Sequence, residues 1–155
     1  MTKAKFFWPL TVIVVIADYI TKRMAESSLR PGQPHEVFGE FFRFTLGYNT
    51  GIAFGIPFGV GARPMLILFT LVAIGGILWI YRTTDARHRA QIIALGLILG
   101  GAIGNLVDRF RGAAGVVDFI DVGIGTTRFW TFNIADSAIT VGAVLLILAS
   151  FFEKD

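Results

Sequence analysis

Two aspartates in an otherwise apolar chain, Asp118 and Asp136, are the residues best placed to do chemistry. Two carboxylates held close together cannot both ionise easily, so one stays protonated while the other carries charge. The charged acid then takes a proton from water, and the protonated one donates to a carbonyl oxygen or a leaving amine. That hydrolytic chemistry needs neither a metal nor a covalent intermediate. Paired acids also bind cations or relay protons, so the residue types alone leave those readings open. Asn133 stands three residues before Asp136, where it can hold the carboxylate or a peptide by hydrogen bonds. Asp136 itself is expected several residues inside its helix, deeper than an ordinary cap.

Other chemistries are poorly served. With no Cys there is no thiol nucleophile, disulfide or cysteine-held metal. Ser27 or Ser28 with His35 has no third member, and His35 and His88 fall on opposite sides of the topology derived below, so they cannot share a metal. Gly100-Gly-Ala-Ile-Gly104 is no phosphate loop, because no strand precedes it and no Gly-Lys-Ser/Thr follows. The net charge of +3 is scattered between apolar runs, which argues against nucleic acid as a partner.

The elements that must position these side chains are membrane spans. Of the 155 residues 54% are hydrophobic and only 16% charged, against about 25% charged in soluble proteins. Pro64–Tyr81 and Ala90–Val107 are uncharged runs of 18 residues, close to the roughly 20 that cross a bilayer as a helix. Phe6–Thr21 and Phe129–Phe152 are similar runs that carry one acid each, Asp18 and Asp136. The first is expected to be a span rather than a cleaved leader, since an acid lies within its apolar run. The expectation is an all-α membrane protein, one integral domain over 1–155, with four transmembrane helices at about 6–21, 64–81, 90–107 and 129–152. Residues 22–63 form a small outer segment between helices 1 and 2 that contains β structure, since Val37–Leu46 partly alternates apolar and polar residues after turn signals at Pro31, Gly32 and Pro34.

The link 82–89 holds three Arg in eight residues, a density that marks a cytoplasmic loop and places both termini inside. Raw counts of Lys and Arg are slightly higher on the other side, but they are spread over longer segments. This topology brings Asp18, Asn105, Asp108, Arg109, Asp118, Asn133 and Asp136 to one depth, near the outer leaflet. Lys22 follows Asp18 by one turn, so the two can pair. Asn105, Asp108 and Arg109, three and four apart, are expected on one helix face. Arg109 can meet a backbone carbonyl or pair with Asp108. Gly96, Gly100 and Gly104 recur every four residues and let another helix approach closely.

Five segments, in order and along most of the chain, resemble the lipoprotein signal peptidases, or signal peptidase II: Asp18-Tyr-Ile-Thr-Lys22, Asn49-Thr-Gly-Ile-Ala-Phe-Gly55, Gly100-Gly-Ala-Ile-Gly-Asn-Leu-Val-Asp-Arg109, Val116-Val-Asp-Phe119 and Phe132-Asn-Ile-Ala-Asp136. Tyr19 stands where the family often has Gln. The resemblance implies that Asp118 and Asp136 are the catalytic acids. It implies that Asn49, Gly51, Gly104, Asn105, Arg109, Asn133 and Ala135 line or support the pocket, with Asp18, Lys22 and Asp108 as further polar positions, and that Phe54 closes over the substrate. It also implies a bacterial inner-membrane enzyme without cofactor or metal, which cuts a diacylated prolipoprotein before its lipidated cysteine. Membrane lipid and a globomycin-type inhibitor are the other implied partners. From the residues alone, an ion or proton transporter, a non-catalytic assembly factor and a metal-dependent hydrolase remain as rivals.

Overall fold

The computed structural model describes residues 2–51, 63–112 and 115–152. Four helices, α1 (Ala4–Ser28), α2 (Arg63–Thr83), α3 (Arg89–Arg111) and α4 (Ile134–Phe152), are long and apolar enough to cross a membrane. Helices satisfy their own backbone hydrogen bonds, which is what lipid demands. Outward-facing Val12, Ile16, Leu68, Val72, Val144 and Ile147 are exposed, which is costly in water and suits a lipid surface.

Helix α3 is the axis, with twelve buried residues, and α1 and α4 pack on it. Its glycines make that packing possible. A Cβ on Gly100 would stand 2.7 Å from Cβ of Val14 on α1. From α4, Gly142 would reach to 2.8 Å of the Ala94 carbonyl. The Thr11 hydroxyl adds a hydrogen bond to the Gly96 carbonyl across the same interface (3.1 Å).

Helix α2 rests chiefly on α3 and is pinned at both ends. At one end the Lys3 ammonium donates to the carbonyls of Tyr81, Arg82 and Thr84 at 2.8–3.0 Å, groups that a helix C-terminus leaves without partners. Phe7 stacks on Tyr81 beside it, with centroids 3.8 Å apart. At the other end Arg63 donates to the Arg109 carbonyl (2.6 Å).

An antiparallel sheet in the order β1-β2-β3-β4 covers one end of the bundle: β1 (His35–Phe38), β2 (Phe42–Asn49), β3 (Val116–Ile124) and β4 (Thr127–Arg128). β1 and β2 lie within residues 22–63, where β structure is expected; the other half of the sheet, β3 and β4, comes from the link between α3 and α4, where none is expected. β3 is covered on both faces at its start, so Val116 to Phe119 are all buried and show no alternation to betray a strand. Helix α4 begins at Ile134, later than its apolar run; Phe132 instead exchanges backbone hydrogen bonds with Ile120 (2.9 and 3.0 Å). At the other boundary α1 runs on to Ser28, so Lys22 lies well inside it.

Candidate active site

Asp136 is a first-turn residue, not the deep one expected, because α4 starts late. Asn133 caps the helix. Its side-chain oxygen accepts from the Asp136 N–H (2.9 Å), and its own N–H donates to Asp136 Oδ2 (3.3 Å). This reciprocal pair is a capping box with Asp in the place of Glu. With the Asn133 oxygen committed to the helix, its amide nitrogen must turn the other way. There it donates to Asp118 Oδ1 at 2.7 Å and lies within reach of the Val117 carbonyl and Asn105 Oδ1. One fully buried asparagine therefore touches both acids.

Asp118, opposite Gly47 of β2 in the register, is 3% exposed on β3. Burial pushes its carboxyl from 3.8 up to about 7, and the neighbouring Asp136 charge adds to the rise; hydrogen bonds from Asn133 and Asn49 oppose it. The Asn49 side-chain oxygen accepts from the Gly51 N–H (2.9 Å), which leaves its amide nitrogen to face Asp118.

Asn105 of α3 lies on the other side of Asp136 and donates to its Oδ1 (2.8 Å). Its own oxygen accepts from the Lys22 ammonium at 3.0 Å. Lys22, 1% exposed, spends its other two donors on Asp18 (2.7 Å) and Asp108 (2.9 Å). Asp18 in turn accepts from the backbone N–H of Ala135 (2.9 Å), so a residue of α1 satisfies a donor at the N-terminus of α4. Asp108 binds Arg23 (3.0 Å) and the Val117 N–H (3.2 Å), which ties β3 to the helices.

Asp108 and Arg109 therefore part on either side of Asn105 rather than sharing one face. Asp108 goes to the buried ion cluster. Arg109 turns to the carbonyls of Gly51 (3.3 Å) and Asn105 (3.4 Å), the first of the two alternatives the sequence left open. Ala135 is fully buried where α1, α3 and α4 meet, and a Cβ on Gly104 would stand 2.6 Å from Asp18 Oδ2. Phe54 lies outside the described residues.

Sequence reasoning missed Arg23, which no spacing rule links to Asp108. Nor does any spacing rule single out Asp121. Burial alone would raise the Asp121 carboxyl, but hydrogen bonds from Thr45, Arg128 and Arg43 outweigh it and hold the group below its ordinary value. Arg43 faces Asp121 directly across the β2–β3 ladder, a pairing that only the register reveals.

Two cavities meet at the acids. One, of about 330 Å³, runs between α2, α3 and α4 past Leu66, Phe69, Ala73 and Ile139. The other, of about 470 Å³, lies along α4 beneath Phe129, Trp130 and Val141. Both are lined by Asn49, Asp118 and Asp136, so each apolar trough ends in the same polar cluster.

The sequence model of the family described as signal peptidase (SPase) II matches residues 10–152, nearly the whole of this architecture. The chain belongs to the signal peptidase II family. Among curated relatives, the lipoprotein signal peptidase of Coxiella burnetii (strain Dugway 5J108-111) is 42% identical over 153 residues, with 94% of this chain and 91% of that protein covered. The lipoprotein signal peptidase of Mycobacterium bovis (strain BCG / Pasteur 1173P2) is 40% identical over 152 residues, covering 94% of this chain and 71% of its own length. A bacterial membrane enzyme solved by the in meso method at 2.3 Å superposes with a TM-score of 0.83 at 32% identity, over 94% of this chain and 91% of its own. A second such enzyme, at 1.9 Å, gives 0.80 at 33% identity, covering 94% and 92%. The asparagines and aspartates described above thus sit within the stretch that defines signal peptidase II.

Proposed function

We propose that this chain is an aspartyl endopeptidase of the bacterial inner membrane that removes the signal peptide from diacylglyceryl-modified prolipoproteins. The observation that carries this reading is Asn133, which holds Asp118 and Asp136 together at the meeting point of two apolar troughs.

In this reading both termini are cytoplasmic, and the acids lie near the outer leaflet on the side opposite the Arg82, Arg87 and Arg89 loop. The signal peptide is itself an apolar helix and the diacyl chains are lipid, so both can lie in troughs that open along the spans. Membrane and enzyme then fix the depth and orientation of the scissile bond, which supplies part of the rate. One aspartate, ionised, takes a proton from water as the resulting hydroxide adds to the carbonyl carbon. The other gives its proton to the carbonyl oxygen, forming a tetrahedral diol. Collapse returns one diol proton to the second aspartate, and the first passes its proton to the departing amine of the lipidated cysteine. Both acids end in the state in which they began, and no cofactor or metal is required. Arg109 and Asn49 stand at the rim, where they can meet peptide carbonyls, and a globomycin-type inhibitor would occupy the same place.

The test is incubation of purified protein with a synthetic diacylated precursor and its unlipidated twin. Cleavage of the lipidated peptide alone is expected, together with its loss in Asp118→Asn and Asp136→Asn variants that still insert. Full activity in either variant would overturn the proposal.

A further inference from the structure

Each acid accepts from two donors, Asp118 from the Asn133 and Asn49 amides, so their settings decide where the shared proton sits. Both oxygens of Asp136 accept: Oδ1 from the Asn105 amide, Oδ2 from the Asn133 backbone. The carboxylate also stands in the first turn of α4, where the helix dipole favours negative charge. Asp118 lies in a strand without that field and is more deeply buried, the setting in which a carboxyl retains its proton.

The orientation of Asn105 is fixed from behind. An ammonium has only donors to offer, so Lys22 compels the Asn105 oxygen to face it, and the amide nitrogen must then face Asp136. We propose that Asp136 is the ionised, water-activating member of the pair, that Asp118 carries the proton given to the carbonyl oxygen, and that Lys22 is a positioning residue that enforces this division through Asn105. This rests on the aspartyl-peptidase reading above.

Other titratable groups approach the pair from several elements. Arg109 of α3 is attracted to both acids. Asp18 and Asp108 lie behind Lys22 and are paired with it. Tyr48 of β2 lines a third cavity that Asp118 also lines. Asp121 is engaged by Arg43 and Arg128. The residues that α2 contributes to the cavity, Leu66, Phe69, Thr70, Ala73 and Ile77, bring no titratable group.

The pH profile of kcat/KM on a diacylated precursor tests this. Its acid limb should report the ionised acid and its alkaline limb the protonated one. In Lys22→Met the acid limb is expected to move up by about one pH unit, and the alkaline limb should move up as well because the ammonium also favours the charged form of Asp118. Asn105→Ala, which keeps the ammonium but loses the donor to Asp136, should move the acid limb alone, and it carries the test if Lys22→Met fails to fold. A uniform loss of rate with both limbs in place would mean a merely structural role and overturn the proposal. Infrared spectra across the same pH range assign the proton directly. The protonated-carboxyl band that titrates near neutrality should vanish in Asp118→Asn and persist in Asp136→Asn; the reverse would overturn the assignment. Cleavage by either aspartate variant would instead refute the underlying peptidase reading, so the two failures are distinguishable.

Discussion

The side chain of Asn133 donates to Asp118 while its backbone N–H donates to Asp136, so a single residue spans the gap between a strand and a helix from distant parts of the chain. It does so because it is a helix cap. The demand of the α4 N-terminus for an acceptor orients the amide, and the oriented amide then reaches Asp118.

Cap and bridge can be separated by substitution. Asn133→Ser keeps an oxygen for the cap and loses the amide donor to Asp118, whereas Asn133→Ala loses both. Ser is expected to stay within about 1 kcal/mol of the parent in stability and Ala to fall by a further ~1 kcal/mol, the usual worth of a cap. Cleavage of a diacylated precursor should drop on the order of 100-fold or more in both, as when a positioned polar group is removed from an active site. Thermal melts and kcat in the same detergent check the two effects. A fully active Ser variant would show that the bridge is not needed.

A second prediction concerns the ion cluster of Lys22, Asp18 and Asp108. Lys22→Met leaves two buried carboxylates without their shared cation, and breaking such an arrangement costs about 3–5 kcal/mol. Removing a balanced pair costs much less. The double variant Asp18→Asn with Lys22→Met should therefore be more stable than Lys22→Met alone. In it Asp108 keeps Arg23, and the amide introduced in place of the Asp18 carboxylate still offers an oxygen to the Ala135 N–H. Melting temperatures of the two variants decide the matter; equal losses would mean that the charge balance of the cluster is unimportant.

The legible and illegible parts of this protein divide along a physical line. Four apolar runs announce the helices, because spans are specified by composition over some 20 residues. The Asp18–Lys22 pair is legible because it is local to one helix. What is not legible is whatever depends on register. Val116–Phe119 is buried on both faces and so carries no period of two. The late start of α4 follows from Phe132 pairing with Ile120, a contact between segments that no local rule connects. The parting of Asp108 and Arg109 follows from what lies beside each face of α3, Lys22 for one and the Gly51 carbonyl for the other.

Stability should depend on pH through two acids of opposite character. Asp118 is pushed from 3.8 to about 7, so between those values the folded chain holds a proton that the unfolded chain releases. Stability therefore falls as pH rises through that window. Asp121 is held below its ordinary value, so its contribution is present at neutral pH and is lost as pH falls into the acid range. Melting temperatures from pH 3 to 8 should show both limbs. Asp118→Asn is expected to flatten the neutral one, and Asp121→Asn the acid one. A neutral limb that survives in Asp118→Asn would contradict the buried protonated carboxyl.

The last prediction separates packing from positioning along one glycine face. A methyl at Gly100 meets the Val14 side chain at 2.7 Å and the Thr11 carbonyl at 3.0 Å, so Gly100→Ala must push α1 away from α3. A methyl at Gly104, one turn nearer the acids, meets Asp18 Oδ2 at 2.6 Å and the Ala135 Cβ at 3.3 Å. Both substitutions overpack a tight interface and should cost about 1–3 kcal/mol. Their effects on activity should differ. Asp18 holds the first turn of α4 through Ala135 and also holds Lys22, so displacing it moves the segment that carries Asp136 and loosens the hold on Asn105. Gly104→Ala is therefore expected to lower kcat at least tenfold more than Gly100→Ala at matched stability, since misplacement of about 1 Å can cost 100-fold. Steady-state kinetics on a diacylated precursor, with melts to equalise the folded fraction, would show it. Equal losses in the two variants would mean that the face serves helix packing alone.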